Sequence, residues 1–214
     1  MMTDELVLFT NPMSRGRIAR WMLEEVGAPY RTEILEYGTS IKDPAYLAVN
    51  PMGKVPALRH GETVVTECGA ICAYLADAFP AAGLAPDVTS RLRGPYLRWL
   101  FFAAGCIEPA ATNQALGVVV PPERAAMPGY GSMEQVMDAL EACVRDRQYI
   151  VGDRFTAADV YTGSQIGWGL QFGFMERRPA FETYWNGLKN RPAAIRARDI
   201  DDALIEAQKP GNAA

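Results

Sequence analysis

Two short segments carry the residues whose types and spacing best fit a binding site. The first runs from Asn50 to Leu58 and contains Val55-Pro56, where proline removes one hydrogen-bond donor from a strand edge. The second begins at Glu67, at a predicted helix N-terminus whose first N–H groups have no partner within the helix. Together these groups suit a small peptide that carries an amine and carboxylates. Each segment alone also fits a purely structural role, as an edge strand or an acidic helix start.

The first predicted helix has an unusual order of charges. Arg15, Arg17 and Arg20 occupy its first turns, whereas Glu24 and Glu25 lie near its end. The helix dipole favours the opposite order, and the cost is a few tenths of a kcal/mol per charge. Two interpretations are equally open: a solvated helix face, or a positive corner that binds an anion.

Hydrophobic periodicity predicts the elements that position these residues. They are a strand at Leu6–Phe9, a helix from Ser14 or a near neighbour to Gly27, strands at Tyr30–Leu35, Pro56–Leu58 and Thr63–Thr66, and a helix at Glu67–Phe79 that Pro80 ends. The order is βαβ followed by ββα, which predicts a small mixed sheet because a strand–helix–strand crossover joins parallel strands. Residues 81–88 are rich in helix-stop residues and predict a linker.

The remainder of the chain is predicted to be helical. Its expected features are a long helix with a face of Leu92, Tyr96, Leu100, Ala103 and Ile107, an irregular connection at 118–131, capping boxes at Ser132–Gln135 and Thr156–Asp159, a helix with glycines at 163, 167, 169 and 173, a helix around Phe181–Leu188, and a disordered tail from Pro210. The repeated glycines favour close contact with another helix, although room for a ligand is the alternative.

Composition narrows the class of protein. The 214 residues are 49% apolar and 21% charged with a net charge of −4, which is typical of a soluble globular protein and lacks the basic face that nucleic-acid binding needs. No apolar run is long enough to span a bilayer, and the N-terminus has no signal-like core. We therefore expect a cytoplasmic protein with no nucleic-acid or membrane partner. With one histidine and no Cys-x-x-Cys pair, the four cysteines predict buried reduced thiols and no metal site.

Several segments in combination resemble the cytosolic glutathione transferases. They are Asn50–Leu58, Thr66–Pro80, Val151–Asp159 and, more loosely, Leu6–Gly27, so the resemblance covers nearly the whole chain. It implies α/β plus all-α architecture: a thioredoxin-like glutathione-binding domain at 1–80, a linker at 81–88, and an all-helical domain at 89–214 with an electrophile-binding side. It also implies a bacterial, serine-type detoxification enzyme that forms a homodimer and conjugates the co-substrate glutathione to a small hydrophobic electrophile.

The resemblance implies a hydroxyl or thiol near the start of the first helix. No Tyr or Cys occurs from Phe9 to Arg20, so Ser14 is the candidate, with Thr10 and Asn11 as alternatives and a plain helix N-cap as its structural role. The Ser14 hydroxyl would donate a hydrogen bond to the glutathione thiolate. Such a bond to a charged acceptor contributes about 1.5–3 kcal/mol, which lowers the thiol pKa by about one to two units.

The resemblance also implies the residues that bind the substrates. The Val55 backbone would pair with the cysteinyl part of glutathione if Val55-Pro56 is cis, and Glu67 would hold the γ-glutamyl amine. Cys68 stands where the motif usually has serine, and its N–H would bind the γ-glutamyl carboxylate although its thiol is a weaker donor. Lys54 would reach the glycyl carboxylate. The electrophile would face an apolar wall formed by Met13, Phe102 and Trp168.

Two other functions stay open at this stage. A non-catalytic binding module can share the fold, because fold does not determine function. A glutathione-dependent thiol exchange enzyme or reductase would need a cysteine at the start of the first helix, where this chain has Ser14.

Overall fold

A computed structural model of the protein describes residues 4–208. Two compact units divide these residues: one contains the chain up to Ala82 together with the segment from Arg191, and the other is Gly83–Asn190. The predicted tail from Pro210 lies outside the described residues. Within them, no helix combines the length and the apolar character needed to cross a membrane.

Up to Ala82, the first unit contains a four-stranded sheet and three α-helices. Its elements are β1 (Leu6–Thr10), α1 (Gly16–Val26), β2 (Tyr30–Ile34), a 3₁₀ turn (Ser40–Lys42), α2 (Pro44–Leu47), β3 (Ala57–His60), β4 (Thr63–Thr66), α3 (Cys68–Ala78) and a 3₁₀ turn (Pro80–Ala82). The strand order is β2-β1-β3-β4, with β1 parallel to β2 and the other two pairs antiparallel. This confirms the predicted βαβ–ββα sheet. The sequence had not indicated α2.

The second unit is helical, as predicted. Its elements are α4 (Arg93–Phe102), a π turn (Ala103–Ile107), α5 (Glu108–Ala115), a 3₁₀ turn (Pro122–Arg124), α6 (Met133–Val144), α7 (Ala157–Phe172) and α8 (Pro179–Leu188). The predicted long helix is interrupted by the π turn just before Pro109. Proline has no N–H for the carbonyl four residues earlier, and a π turn is one way for a helix to continue past that gap.

The glycines of α7 allow close contact with α8. A Cβ atom on Gly163 would lie 2.6 Å from Leu188 Cδ1, and one on Gly167 would lie 2.6 Å from the Trp185 indole. Both distances are too short for real side chains, so larger residues would push the helices apart. The predicted close helix contact is confirmed, and both predicted capping boxes are present at the starts of α6 and α7.

The sequence did not indicate the last helix, α9 (Pro192–Ala207). It packs against α1 in the first unit and runs antiparallel to it. Ion pairs join the two helices along their length: Arg17–Asp202, Arg20–Asp201, Glu24–Arg196 and Glu25–Arg191, the last contributed by the residue before α9. Residues 191–208 therefore belong to the same compact unit as α1. The predicted domain limits of 89–214 stay a prediction.

The same ion pairs explain the reversed charge order of α1. The α9 segment is also basic at its start and acidic near its end. Antiparallel packing therefore places Arg17, Arg20, Glu24 and Glu25 opposite charges of the other sign. Neither predicted interpretation is right for Arg17 and Arg20: they form neither a solvated face nor an open anion corner, because Asp202 and Asp201 already pair with them. Side-chain pairing offsets the small unfavourable dipole effect.

Candidate active site

The strand register gathers the predicted site segments at one edge of the sheet. Phe9 pairs with Ala57, and Ala57 pairs with Thr66. The end of β1, the start of β3 and the end of β4 therefore lie side by side. The chain leaves β1 toward Ser14, enters β3 from Pro56 and leaves β4 into Glu67, so segments far apart in sequence converge here.

Ser14 lies in the turn between β1 and α1 and is buried. Its hydroxyl donates to the Asn11 carbonyl at 2.6 Å and accepts the Gly16 N–H at 2.9 Å. The helix begins at Gly16, so Ser14 satisfies one of the N–H groups that have no partner within the helix. The N-cap position itself is Arg15, so Ser14 is not the plain N-cap that the sequence predicted, although its hydroxyl still accepts the first helical N–H. The single proton of that hydroxyl is directed at the Asn11 carbonyl.

The alternatives Thr10 and Asn11 also contact the protein. Asn11 uses both ends of its amide, donating to the Leu35 carbonyl at 2.8 Å and accepting the Met13 N–H at 2.9 Å. Thr10 is fully buried, and a Cβ atom on Gly16 would lie only 1.7 Å from its hydroxyl oxygen. Gly16 is therefore required beside Thr10, and the choice of Ser14 among the three side chains stays a prediction.

The Val55-Pro56 segment presents unpaired backbone. Its peptide bond is cis, as the resemblance implied. The preceding carbonyl, that of Lys54, accepts hydrogen bonds from the Tyr46 hydroxyl and from Asn50 Nδ2 at 2.9 Å. Burial raises the pKa of Tyr46 to about 12, so it stays a donor at neutral pH. Within residues 4–208, neither backbone group of Val55 has a hydrogen-bond partner.

Glu67 is the N-cap residue of α3 and is exposed. Its φ of 66° and ψ of 123° lie outside the common regions for a non-glycine residue, a conformation that costs about 1–3 kcal/mol. No described side chain or backbone group pairs with its carboxylate, and it makes no capping bond to its own helix. Glu67 thus holds a charged group at the sheet edge without using it to stabilise α3.

Cys68 points into the protein. Its side chain is buried, and its Sγ lies 3.5 Å from the Arg15 carbonyl, which joins the start of α3 to the turn before α1. The thiol therefore packs between the two helix starts. The backbone at the beginning of α3 is the part of this residue that lies at the sheet edge.

Lys42 is a functional candidate that the sequence did not indicate. It lies in the 3₁₀ turn after β2, and its Nζ is 3.2 Å from the Gly53 carbonyl oxygen and 3.4 Å from that of Met52. With the exposed Lys54, it places two cations beside the Val55 segment. Only the folding of residues 40–54 brings Lys42 there, so no local pattern could have identified it.

The three predicted wall residues are not all in one compact unit. Met13, 66% exposed, lies in the first unit, whereas Phe102 and Trp168 are half-buried in the second. The Phe102 ring packs edge-on against Trp99 at 5.1 Å, and the Trp168 ring lies 6.5 Å from Phe172. Their common role in binding an electrophile stays a prediction.

The thiols show ordinary structural behaviour. Cys72 and Cys143 are buried like Cys68, whereas Cys106 is half-buried, and all four cysteines are reduced. Burial raises the pKa of Cys143 to about 11 and raises that of Cys106 as well, so neither is an activated nucleophile. Among residues 4–208, no three His, Cys, Asp or Glu side chains cluster closely enough to hold a metal ion.

Comparisons with known proteins find glutathione S-transferases. The family pattern described as "Glutathione S-transferase, N-terminal domain" matches residues 13–78. Glutathione S-transferase 3 of Zea mays is 28% identical over 204 residues, covering 88% of this chain and 90% of that protein. Glutathione S-transferase GST-4.5 of Xanthomonas campestris is 26% identical over 171 residues, covering 78% and 83%.

A solved structure extends the similarity to both units. The glutathione S-transferase of a sphingomonad, in complex with glutathione, superposes with a TM-score of 0.74 and 30% identity, covering 92% of this chain and 98% of that one. The match includes the thioredoxin-like sheet and the helical region together. With its sheet, its cis-proline edge and this similarity over nearly its full length, the chain belongs to the glutathione S-transferase family.

Proposed function

We propose that this transferase binds glutathione at the sheet edge of its first unit and transfers it to a hydrophobic electrophile. The observation that carries the proposal is the meeting of the unpaired Val55 backbone and the unpaired Glu67 carboxylate at that edge. An extended peptide pairs with such a backbone as an added strand does. A carboxylate without a protein partner is suited to an ammonium group.

The charges of the edge complement those of glutathione, which carries one amine and two carboxylates. Glu67 would hold the γ-glutamyl amine, and the first N–H groups of α3 would bind the adjacent carboxylate, as helix starts bind anions. Lys54 and Lys42 would attract the glycyl carboxylate at the other end. Val55 and Pro56 would fix the middle of the peptide between them.

Ser14 would stabilise the thiolate and make the enzyme serine-type. Its proton would turn from the Asn11 carbonyl to the sulfur, while that carbonyl keeps the Ser14 N–H as a donor at 3.0 Å. The hydroxyl is not the base; it stabilises the charged form of the sulfur. The N-terminus of α1 would act in the same direction, because helix starts lower thiol pKa values.

Ser14→Ala should raise the apparent pKa of bound glutathione by about one to two units, since a hydrogen bond to a charged acceptor is worth about 1.5–3 kcal/mol. Thiolate absorbance, titrated in the complex, measures this. Ser14→Thr keeps the hydroxyl and is the matched control. An unchanged pKa in Ser14→Ala would remove the hydroxyl from the mechanism. Glutathione binding without conjugation of any electrophile in a broad panel would favour a non-catalytic module instead.

Glu67→Gln should weaken glutathione binding about tenfold or more, because a charge-assisted hydrogen bond contributes about 1.5–3 kcal/mol. Calorimetry gives the affinity. Glu62→Gln, at the exposed turn between β3 and β4, makes the same change of net charge away from the proposed contact. Equal affinities in the two variants would reject the role of Glu67.

We also propose that this transferase is a cytoplasmic, bacterial detoxification enzyme and that it works as a homodimer. Exposed apolar side chains support the homodimer: Phe101 and Leu97 on α4 are 73% and 37% exposed, and Val64 on β4 is 39% exposed. Single apolar residues on a surface are common, so sedimentation in solution decides the point. A single species of monomer mass would reject it.

A further inference from the structure

Arg17 links the turn that carries Ser14 to α9. Its Nε donates to the Pro12 carbonyl at 2.8 Å, and its Nη2 donates to the Asp202 carboxylate on α9. Pro12 is buried and lies two residues before Ser14. One guanidinium therefore contacts both the main chain of the turn between β1 and α1 and a side chain 185 positions away in sequence.

The chemistry of arginine makes this contact directional. The guanidinium is planar, and its N–H groups point in fixed directions relative to each other. When Asp202 holds Nη2, the plane is set, and with it the direction of the Nε–H that holds Pro12. The Asn11 side of the turn has its own hydrogen bonds, to Leu35 and Met13. Arg17 thus supports the part of the turn between Asn11 and Ser14.

We propose that Arg17 is a positioning residue for Ser14 and that Asp202 on α9 sets its orientation. The proposal rests on the proposed role of the Ser14 hydroxyl. Catalytic groups need placement to within a fraction of an ångström, and a displacement of about 1 Å can reduce the rate about 100-fold. Helix α9, remote in sequence from the reacting groups, thereby controls the thiolate contact.

A purely electrostatic role of Arg17 predicts the opposite result for Asp202. If the guanidinium acted only through its positive charge, Asp202→Ala would strengthen the positive field and lower the pKa of the bound thiol. If Asp202 orients Arg17, the same variant weakens the Ser14 contact and raises that pKa. Arg17→Lys also separates the two roles, since lysine keeps the charge but lacks the paired, fixed donors.

Arg196 offers a matched control in the same helix pair. It donates through Nε to Glu24 Oε2 at 3.0 Å and through Nη2 to the Glu24 carbonyl at 3.1 Å, so it also bridges a carboxylate and a main-chain carbonyl between α9 and α1. This contact lies at the opposite end of α1 from the turn that carries Ser14. Asp202 and Arg196 are both about half exposed, so neither alanine variant should prevent folding.

The test compares Asp202→Ala, Arg17→Lys and Arg196→Ala by the pH profile of glutathione conjugation, by kcat and KM separately, and by melting temperature. We expect the first two variants to raise the thiol pKa and to lower kcat about three- to tenfold with little change in the glutathione KM, as for a small misplacement. Arg196→Ala should leave the pKa unchanged. A lowered pKa in Asp202→Ala, or equal kinetic effects in Asp202→Ala and Arg196→Ala, would overturn the proposal.

The same variants in a Ser14→Ala background separate this inference from the proposed function. Asp202→Ala should then have no further effect on the thiol pKa, because the hydroxyl that it positions is gone. If Ser14→Ala alone leaves the pKa unchanged, the proposed role of Ser14 fails and the positioning role fails with it. If Ser14→Ala raises the pKa but Asp202→Ala does not, only the positioning role fails.

Discussion

Asp159→Ala should lower the free energy of unfolding by about 3–5 kcal/mol, because it leaves four buried hydrogen-bond donors without their acceptor. The carboxylate is completely buried in the second unit. It accepts the N–H groups of Ile150 and Thr156, each at 2.7 Å, the Thr156 hydroxyl at 3.0 Å and the Tyr184 hydroxyl at 2.7 Å. Alanine would leave these donors unsatisfied, each at a cost of about 1–3 kcal/mol before relaxation.

Such a loss is a large share of the stability of a typical protein, about 5–15 kcal/mol. Chemical denaturation measures this loss of stability. Two substitutions that remove smaller parts of the same hydrogen-bond cluster complete a graded series. Thr156→Ala removes one hydroxyl and should cost about 0.5–2 kcal/mol, as for other N-caps. Tyr184→Phe removes one donor. Glutathione affinity of the folded fraction should stay near wild type throughout. An affinity that collapsed at unchanged stability would place this cluster in the active site.

Arg20→Met should also destabilise the protein by about 3–5 kcal/mol, because it leaves Asp201 buried without its partner. Arg20 and Asp201 are 1% and 0% exposed, and Nε lies 2.9 Å from Oδ1. The guanidinium also donates to the hydroxyls of Tyr30 and Thr32, both at 3.2 Å. Arg20 therefore connects α1, β2 and α9, and its loss affects all three.

The double variant Arg20→Met with Asp201→Leu tests the cause of this loss. Replacing a buried ion pair with apolar residues is often neutral, so the double variant should be more stable than Arg20→Met alone. If both variants lose the same stability, packing of the arginine stem is the cause and the charge is not.

The effect of Arg20→Met should also depend on pH. Burial raises the pKa of Asp201 and Arg20 opposes that rise, so removing Arg20 raises the folded-state pKa further above the unfolded value of about 3.9. The folded variant then binds more protons than the unfolded chain between these two values, and its stability falls as the pH rises through that window. We expect the loss relative to wild type to be smallest near pH 4 and to grow toward neutral pH. A loss that is constant with pH would contradict this assignment.

The sequence alone predicted the features that depend on neighbouring residues. The alternating and apolar runs located four strands, and the patterns at Ser132 and Thr156 located two helix starts, because capping is a bond between residues three apart. Pro56 and Glu67 indicated the edge at which we propose binding for the same reason: a missing donor and a helix start are local properties. The glycine spacing of α7 correctly predicted a close helix neighbour.

Only the tertiary structure decided which distant groups meet. The order of charges on α1 looked unfavourable until α9 supplied the complementary order, and that pairing joins residues more than 160 positions apart. The sequence could not indicate the hydrogen bonds of Ser14, Thr10 and Asn11, because the folded turn determines which partner each side chain has. Packing alone places Lys42 beside the Val55 segment and Asp202 beside Arg17. A local sequence pattern indicates which bonds a segment can form with its near neighbours. The long-range partners depend on how the helices and strands pack in three dimensions, and no local pattern in either segment indicates that packing.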